Sequence, residues 1–166
     1  KLKKKFPNKY KSLLKNSTLY VNLEPCAHYG KTPPCVNIII KNNIKTVIIG
    51  VKDPFKEVNG RSIKKLKNHA KVIVGVLKKE CKEINKKYFI NQKLKRPLII
   101  LKWAKSKDGF INNNKKGITK ISCQKSIKLS HKWRSEIDSI MVGTNTVKFD
   151  NPRLTTRHVI GTNPIR

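Results

Sequence analysis

Three short apolar runs alternate with segments of helical spacing across the first ninety residues, and this alternation constrains the fold more than any other feature. Thr18 to Leu23, Lys45 to Val51 (Val47, Ile48, Ile49) and Lys71 to Val76 read as strands. Between them, a helix is expected from near Cys35, with Val36, Ile38, Ile39 and Ile40 along it, and another over Arg61 to Ala70, with Ile63, Leu66 and Ala70 at helical spacing. Leu77 to Phe89 reads as a third helix. Strands linked by crossovers of this length imply a mostly parallel sheet in an α/β layer architecture. The pattern breaks in a polar, basic stretch near Asn91 to Pro97, where a domain boundary is expected, dividing the chain into residues 1–92 and 96–166.

The second part opens on an apolar run through Leu98, Ile99, Ile100, Leu101 and Trp103 and continues through Asp108 to Ile111. A polar turn at 112–117, a helix over Cys123 to Ile137 and a short strand over Ser139 to Val142 follow. A Gly143–Thr146 turn then leads into a further helical segment, Val147 to Asp150, and the loop Asn151 to Arg157. A strand running into such a turn can offer backbone N–H groups to a phosphate, a weak signal by itself.

At 166 residues and 37% hydrophobic content the chain has enough material for one good core or two small ones. Its formal charge of +30 invites a nucleic-acid or anionic-membrane reading. Yet Lys supplies 33 of the 39 basic residues, and Lys, Asn and Ile together make 69 of the 166. That bias fits compositional drift better than selection for phosphate contacts, which favour Arg forks and stacking aromatics. No specific nucleic-acid partner is therefore expected. No apolar run approaches the length of a membrane span, and Lys1 to Lys15 lacks the apolar core of a signal peptide. Four cysteines do not make a disulfide scaffold, so a reducing, cytoplasmic setting is expected. Neither end resembles a natural domain boundary, and the chain is read as a partial one.

The chemistry centres on Glu24 to Cys35, directly behind the first strand. Cys26 and Cys35 are soft donors separated by eight residues, two of them Pro33 and Pro34, and the second cysteine opens a helix whose dipole favours a thiolate. A catalytic zinc keeps three protein ligands and an open position. The pair is thus read as two zinc ligands, against the alternative of two buried structural cysteines.

The run LEPCAHYGKTPPC (Leu23 to Cys35) resembles the zinc motif of the bifunctional riboflavin-biosynthesis deaminase/reductase family; other zinc deaminases carry a closer C-x-x-C pair. The strand LKWAKSKDGFI (Leu101 to Ile111), the helix end HKWRSEIDSIMVGTNTV (His131 to Val147) and the loop DNPRLTTR (Asp150 to Arg157) are similar to the start of that family's reductase domain. The resemblance implies a cytidine-deaminase-like three-layer α/β/α domain, lacking its N-terminal part, followed by the start of a dihydrofolate-reductase-like domain. It implies zinc-dependent deamination of a diaminopyrimidine ribosyl phosphate, then NADPH reduction of 5-amino-6-(5-phosphoribosylamino)uracil, by a homo-oligomer.

The same resemblance assigns Cys26 and Cys35 to zinc, and His28, Lys31 and Asp53 to the first substrate. Arg134, Leu154 and Arg157 fall to the phosphoribosyl substrate of the reductase, and Ala104, Lys120, Thr146 and Asp150 to NADPH. Two positions depart from the family pattern: Phe55 stands where Asn is common, and Lys120, Ile121, Ser122 replace a W-I-T run. The family's third zinc ligand and its general acid/base Glu come from an H-x-E helix upstream, and Lys1 to Glu24 contains no histidine. This chain alone is therefore expected to be inactive in both steps. A zinc-stabilised basic module binding nucleic acid and a decayed remnant of the enzyme are the competing readings.

Overall fold

The computed structural model describes residues 2–112 and 119–166. The polar turn expected at 112–117 lies outside the described residues except for Asn112. The chain divides into two compact units, Lys1–Ile99 and Ile100–Arg166.

The first unit begins with two short helices, α1 (Leu2–Lys5) and α2 (Tyr10–Lys15), and then alternates β1 (Thr18–Leu23), α3 (Cys35–Lys41), β2 (Thr46–Val51), α4 (Arg61–Lys67) and β3 (Lys71–Val74). It ends in α5 (Lys78–Ile84) and α6 (Lys86–Leu94). The strands pair in parallel in the order β1-β2-β3, with Leu19 opposite Val47 and Ile49 opposite both Val21 and Val74. β2 is central, which is why its run TVIIGV is almost continuously apolar, whereas the edge strand β1 alternates exposed and half-buried positions.

Side chains of successive strand residues point to opposite faces. Val47 and Ile49 meet Val36 and Ile39 of α3 and Ile63 and Leu66 of α4 in a single buried cluster. On the other face Gly50 lies against α5: a Cβ there would fall 2.1 Å from the Cys81 Sγ and 2.9 Å from the Asn22 carbonyl oxygen. Helices thus cover both faces of the parallel sheet.

The segment expected as one helix over Leu77 to Phe89 is two helices parted at Asn85, whose side chain turns back to donate to the Cys81 carbonyl (2.8 Å). The second of them runs on to Leu94, so the polar stretch from Asn91 closes a helix before any linker begins.

In the second unit the expected helix over Cys123 to Ile137 is α7 (Gln124–Glu136). The Gly/Thr turn is itself helical, forming the start of α8 (Thr144–Asp150). Two expected strands are corrected. The apolar run from Leu98, continuing through Leu101 to Ile111, is irregular apart from a turn at Ser106–Gly109, where Gly109 takes φ +93°. Ser139 to Val142 contributes one parallel bridge, Ser139 to Ile165. An extended segment becomes a strand only by pairing its N–H and C=O groups with a neighbour, and no described segment pairs with Leu98 to Trp103.

Candidate active sites

The loop leaving β1 returns on itself at α3. The Cys35 N–H donates to the Cys26 Sγ (3.1 Å) and the Val36 N–H to the Cys26 carbonyl (3.2 Å), so Cys26 supplies the N-terminal cap that Pro34 cannot. The two thiols are close enough to share a hydrogen bond, and that bond, with burial and the charge of Cys26, raises the Cys35 pKa from its ordinary value. Together the sulfurs offer a ready pair of soft donors, and among the described residues no set of three or more His, Cys, Asp and Glu side chains converges as a metal cage. The residues present therefore fit two positions of a zinc site.

His28 and Asp53, expected at the substrate, are brought together by the residue that departs from the family pattern. The Phe55 ring meets the His28 imidazole edge-on, centroids 5.3 Å apart, while the Phe55 N–H donates to Asp53 Oδ1 (2.8 Å). Tyr88, on α6, donates its hydroxyl to the same oxygen (2.8 Å), and desolvation and Asp53 together hold the Tyr88 pKa well above its usual range. Asp53 is thus buried and structurally engaged through Oδ1, closing the turn after β2. The His28 Nδ1 is buried and has no hydrogen-bond partner among the described residues, and Lys31 is exposed.

Beneath this loop lies a carboxylate that sequence reasoning passed over. Glu24 is 3% exposed and accepts four hydrogen bonds: Oε2 from the N–H groups of Asp53 (3.2 Å) and Gly60 (2.9 Å), Oε1 from the Ser62 hydroxyl (2.7 Å) and the Ile63 N–H (3.3 Å). It ties the end of β1, the Asp53 turn and the start of α4 into one unit. Such a charge is tolerable in the interior because every bond is made from an N–H or O–H donor. A Glu in a loop beside a candidate metal site suggests acid/base chemistry from sequence; the four donors show an anchor.

In the second unit the described site residues converge at α7 and the loop after α8. Arg134 Nη1 donates to the Thr155 carbonyl (2.7 Å), and Arg157 Nη1 donates to the Thr155 hydroxyl (3.1 Å). Thr155 therefore holds both guanidinium groups. Burial, and then Arg157, lower the Arg134 pKa from its ordinary value, and the Arg134 Nε is buried without a partner. His131, one turn earlier on α7, is 3% exposed and its Nδ1 accepts from the Arg157 N–H (3.1 Å). The His158 ring packs edge-on against it at 4.6 Å. Leu154 sits in this loop at φ +53°, an uncommon conformation for a residue other than glycine.

Of the expected cofactor residues, Thr146 and Asp150 stand four apart on α8 and so on one face of it. Ala104 and Lys120 lie in irregular backbone, Ala104 half-buried and Lys120 exposed.

Comparison with known proteins finds relatives along most of the chain. Residues 97–166 match the family profile described as RibD C-terminal domain. The riboflavin biosynthesis protein RibD of Aquifex aeolicus is 41% identical over 146 residues, covering 87% of this chain and 41% of the relative. That of Bacillus amyloliquefaciens is 40% identical over 148 residues, covering 88% and 40%. Among solved structures, a diaminohydroxyphosphoribosylaminopyrimidine deaminase/5-amino-6-(5-phosphoribosylamino)uracil reductase from Thermotoga maritima superposes with a TM-score of 0.81 at 42% identity, covering 89% of this chain and 42% of that one. Acinetobacter baumannii RibD gives 0.83 at 29% identity, covering 94% and 44%.

The fold is a mixed α/β one with a parallel sheet, similar to that of the solved deaminase/reductase. The chain belongs to the RibD family and spans about two fifths of the length of the relatives it matches. No helix among the described residues is long and apolar enough to cross a membrane.

Proposed function

We propose that the chain carries parts of two active sites: the thiolate side of a zinc-dependent pyrimidine deaminase in residues 1–92, and the phosphate-holding side of an NADPH-dependent reductase in residues 96–166. The folds intended are the cytidine-deaminase-like and dihydrofolate-reductase-like ones. The observation that carries this reading is that 42% identity to a deaminase/reductase extends over 89% of the chain, and so through both constellations.

In the first site Cys26 and Cys35 hold the metal from one side, with the Pro33–Pro34 turn keeping them apart. Zinc, when bound, lowers the pKa of its water to about 7 and so makes hydroxide available at neutral pH. His28 presents an unpaired Nδ1 for a substrate polar group, and Lys31 supplies an exposed positive charge for a phosphate. Asp53 Oδ1 is committed to Phe55 and Tyr88, so a base contact falls to Oδ2. Glu24 takes no part in proton transfer, since its four partners are all donors within the protein.

In the second site Arg134 and Arg157 bind the phosphoribosyl group as paired forks, with Leu154 against its sugar. NADPH supplies the hydride. Thr146 and Asp150 offer a hydroxyl and a carboxylate to the cofactor, Ala104 leaves it room, and Lys120 adds charge in place of an aromatic surface.

Cobalt(II) titration of the 166-residue chain tests the first site. A thiolate-to-metal charge-transfer band is expected, and C26S and C35S should each remove it. The reading fails if the band is absent or indifferent to both substitutions. The whole reaction is not expected of this chain, because its described residues bring two metal donors together and not three.

A further inference from the structure

The His131 imidazole has a constraint that neither arginine reveals. Its Nδ1 lies 3.1 Å from the Arg157 backbone N–H and 3.3 Å from Arg134 Nη1. Both partners are obligate donors: a backbone amide has no lone pair to offer, and a guanidinium keeps its protons. Nδ1 must therefore be the acceptor, which leaves the ring proton on Nε2 and the imidazole neutral. A proton on Nδ1 would set three N–H groups against one another.

The groups facing this ring are all basic: Arg134 from α7, and Arg157 and His158 from the loop. Burial and these three neighbours lower the His131 pKa from its ordinary value, outweighing a hydrogen bond to the Thr155 backbone that acts the other way. The Arg134 Nε nearby is buried and unpaired. An anion between the guanidinium groups would satisfy it and offset the clustered charge.

We propose that His131 is the positioning residue of this anion site, and that binding of a phosphorylated ligand by Arg134 and Arg157 requires its Nδ1 to be unprotonated. Through one lone pair His131 holds the Arg157 main chain and the Arg134 side chain, and so sets the two forks at one spacing. When Nδ1 takes a proton both bonds are lost and the loop carrying Arg157 is released. Anion affinity then falls with decreasing pH, the reverse of what added positive charge alone produces. The inference rests on the assignment of Arg134 and Arg157 as phosphate ligands.

Sulfate is the probe of choice, because it stays a dianion through the range in which histidine titrates. Titrations of the full 166-residue chain are read at the Arg134 Nε–Hε resonance, which separates this site from the many exposed lysines. The wild-type affinity should fall as the pH is lowered from about 7.5 to about 4.5, reaching about a tenfold loss at the acid end, the worth of one lost charge-assisted hydrogen bond. In H131N the amide oxygen stands near Nδ1 and cannot titrate; it should keep most of the neutral-pH affinity and show a flat profile. H131F preserves bulk without the acceptor and should bind weakly at both pH values.

A wild-type affinity that is flat or rises toward low pH, an H131N profile as steep as wild type, or an H131F that binds like wild type overturns the proposal. H131N decides the matter if H131F fails to fold. If R157A takes sulfate as wild type does, the phosphate assignment itself fails. Nitrogen-15 shifts of His131 still judge the positioning role in that case, with a protonated Nδ1 at neutral pH refuting it and an unprotonated one supporting it.

Discussion

The two units solve the problem of burial in opposite ways. Lys1–Ile99 packs six apolar side chains around a central strand and closes its loops with a buried carboxylate. Ile100–Arg166 buries, among its described residues, only Pro164 and His131, while Leu101 and Trp103 are 78% and 66% exposed and Met141 94%. A sheet with its helices thus stands on a hydrophobic core in one unit, and among the described residues polar contacts tie α7 to the loop after α8 in the other. Because apolar burial is the main favourable term in folding, the first unit should carry most of the stability.

The largest effect should come from Leu66→Ala, which empties a fully buried position and should cost about 4 kcal/mol in urea unfolding, against less than about 0.5 kcal/mol for Trp133→Ala on the half-exposed face of α7. Comparable losses at the two positions would mean that the second unit has a core of its own. Gly50→Ala forces a methyl group into Cys81 and the Asn22 carbonyl and should cost about 3 kcal/mol. Gly161→Ala meets Ser135 Cβ at 2.5 Å but in a unit free to yield, so about 1 kcal/mol is expected, and the contrast collapses if their order is reversed.

Glu24→Gln turns amide hydrogens toward N–H donors and should cost about 2 kcal/mol, with hydrogen exchange accelerated at Gly60 and Ile63. Unchanged protection at those amides would deny Glu24 its anchoring role.

The smallest effect is confined to the second unit. Because the folded His131 has a lowered pKa, its contribution to stability is present above the unfolded value of about 6.5 and is lost as pH falls through the folded one. Melting followed at Trp133 should decline over that window, and H131N should remove the decline. An identical slope in H131N would locate the titrating group elsewhere.

What was legible in the sequence followed from local rules. The parallel pattern of β1, β2 and β3 and α3 beginning at Cys35 appear where periodicity puts them, because each packs residues at its own repeat against a neighbour in the same unit, and α7 appears where expected although it buries His131 alone. The expected strands at Leu101 to Ile111 and Ser139 to Val142 failed for a complementary reason. An apolar run states a tendency to be covered, but a strand also needs a partner for its backbone, and one isolated bridge is all that the described residues give. The helix break at Asn85 was equally hidden, since it depends on one side-chain amide reaching one carbonyl.

At the sites the division is sharper. Residue type and spacing marked Cys26 and Cys35, because soft donors announce their chemistry in any sequence, and the family resemblance marked Arg134 and Arg157. Nothing local marked Glu24, whose partners lie 29 to 39 residues away, or Tyr88, 35 residues from Asp53. His131 lay within a recognised motif, yet its role as acceptor required Arg157 to return from 26 residues downstream. The sequence by itself determined an α/β chain with two thiol donors and two arginine forks, since these are properties of side chains and their periodicity. Only the tertiary structure decided that Glu24 is an anchor, that Asp53 is partly engaged and that His131 is neutral, because a carboxylate or an imidazole takes its role from the donors that surround it.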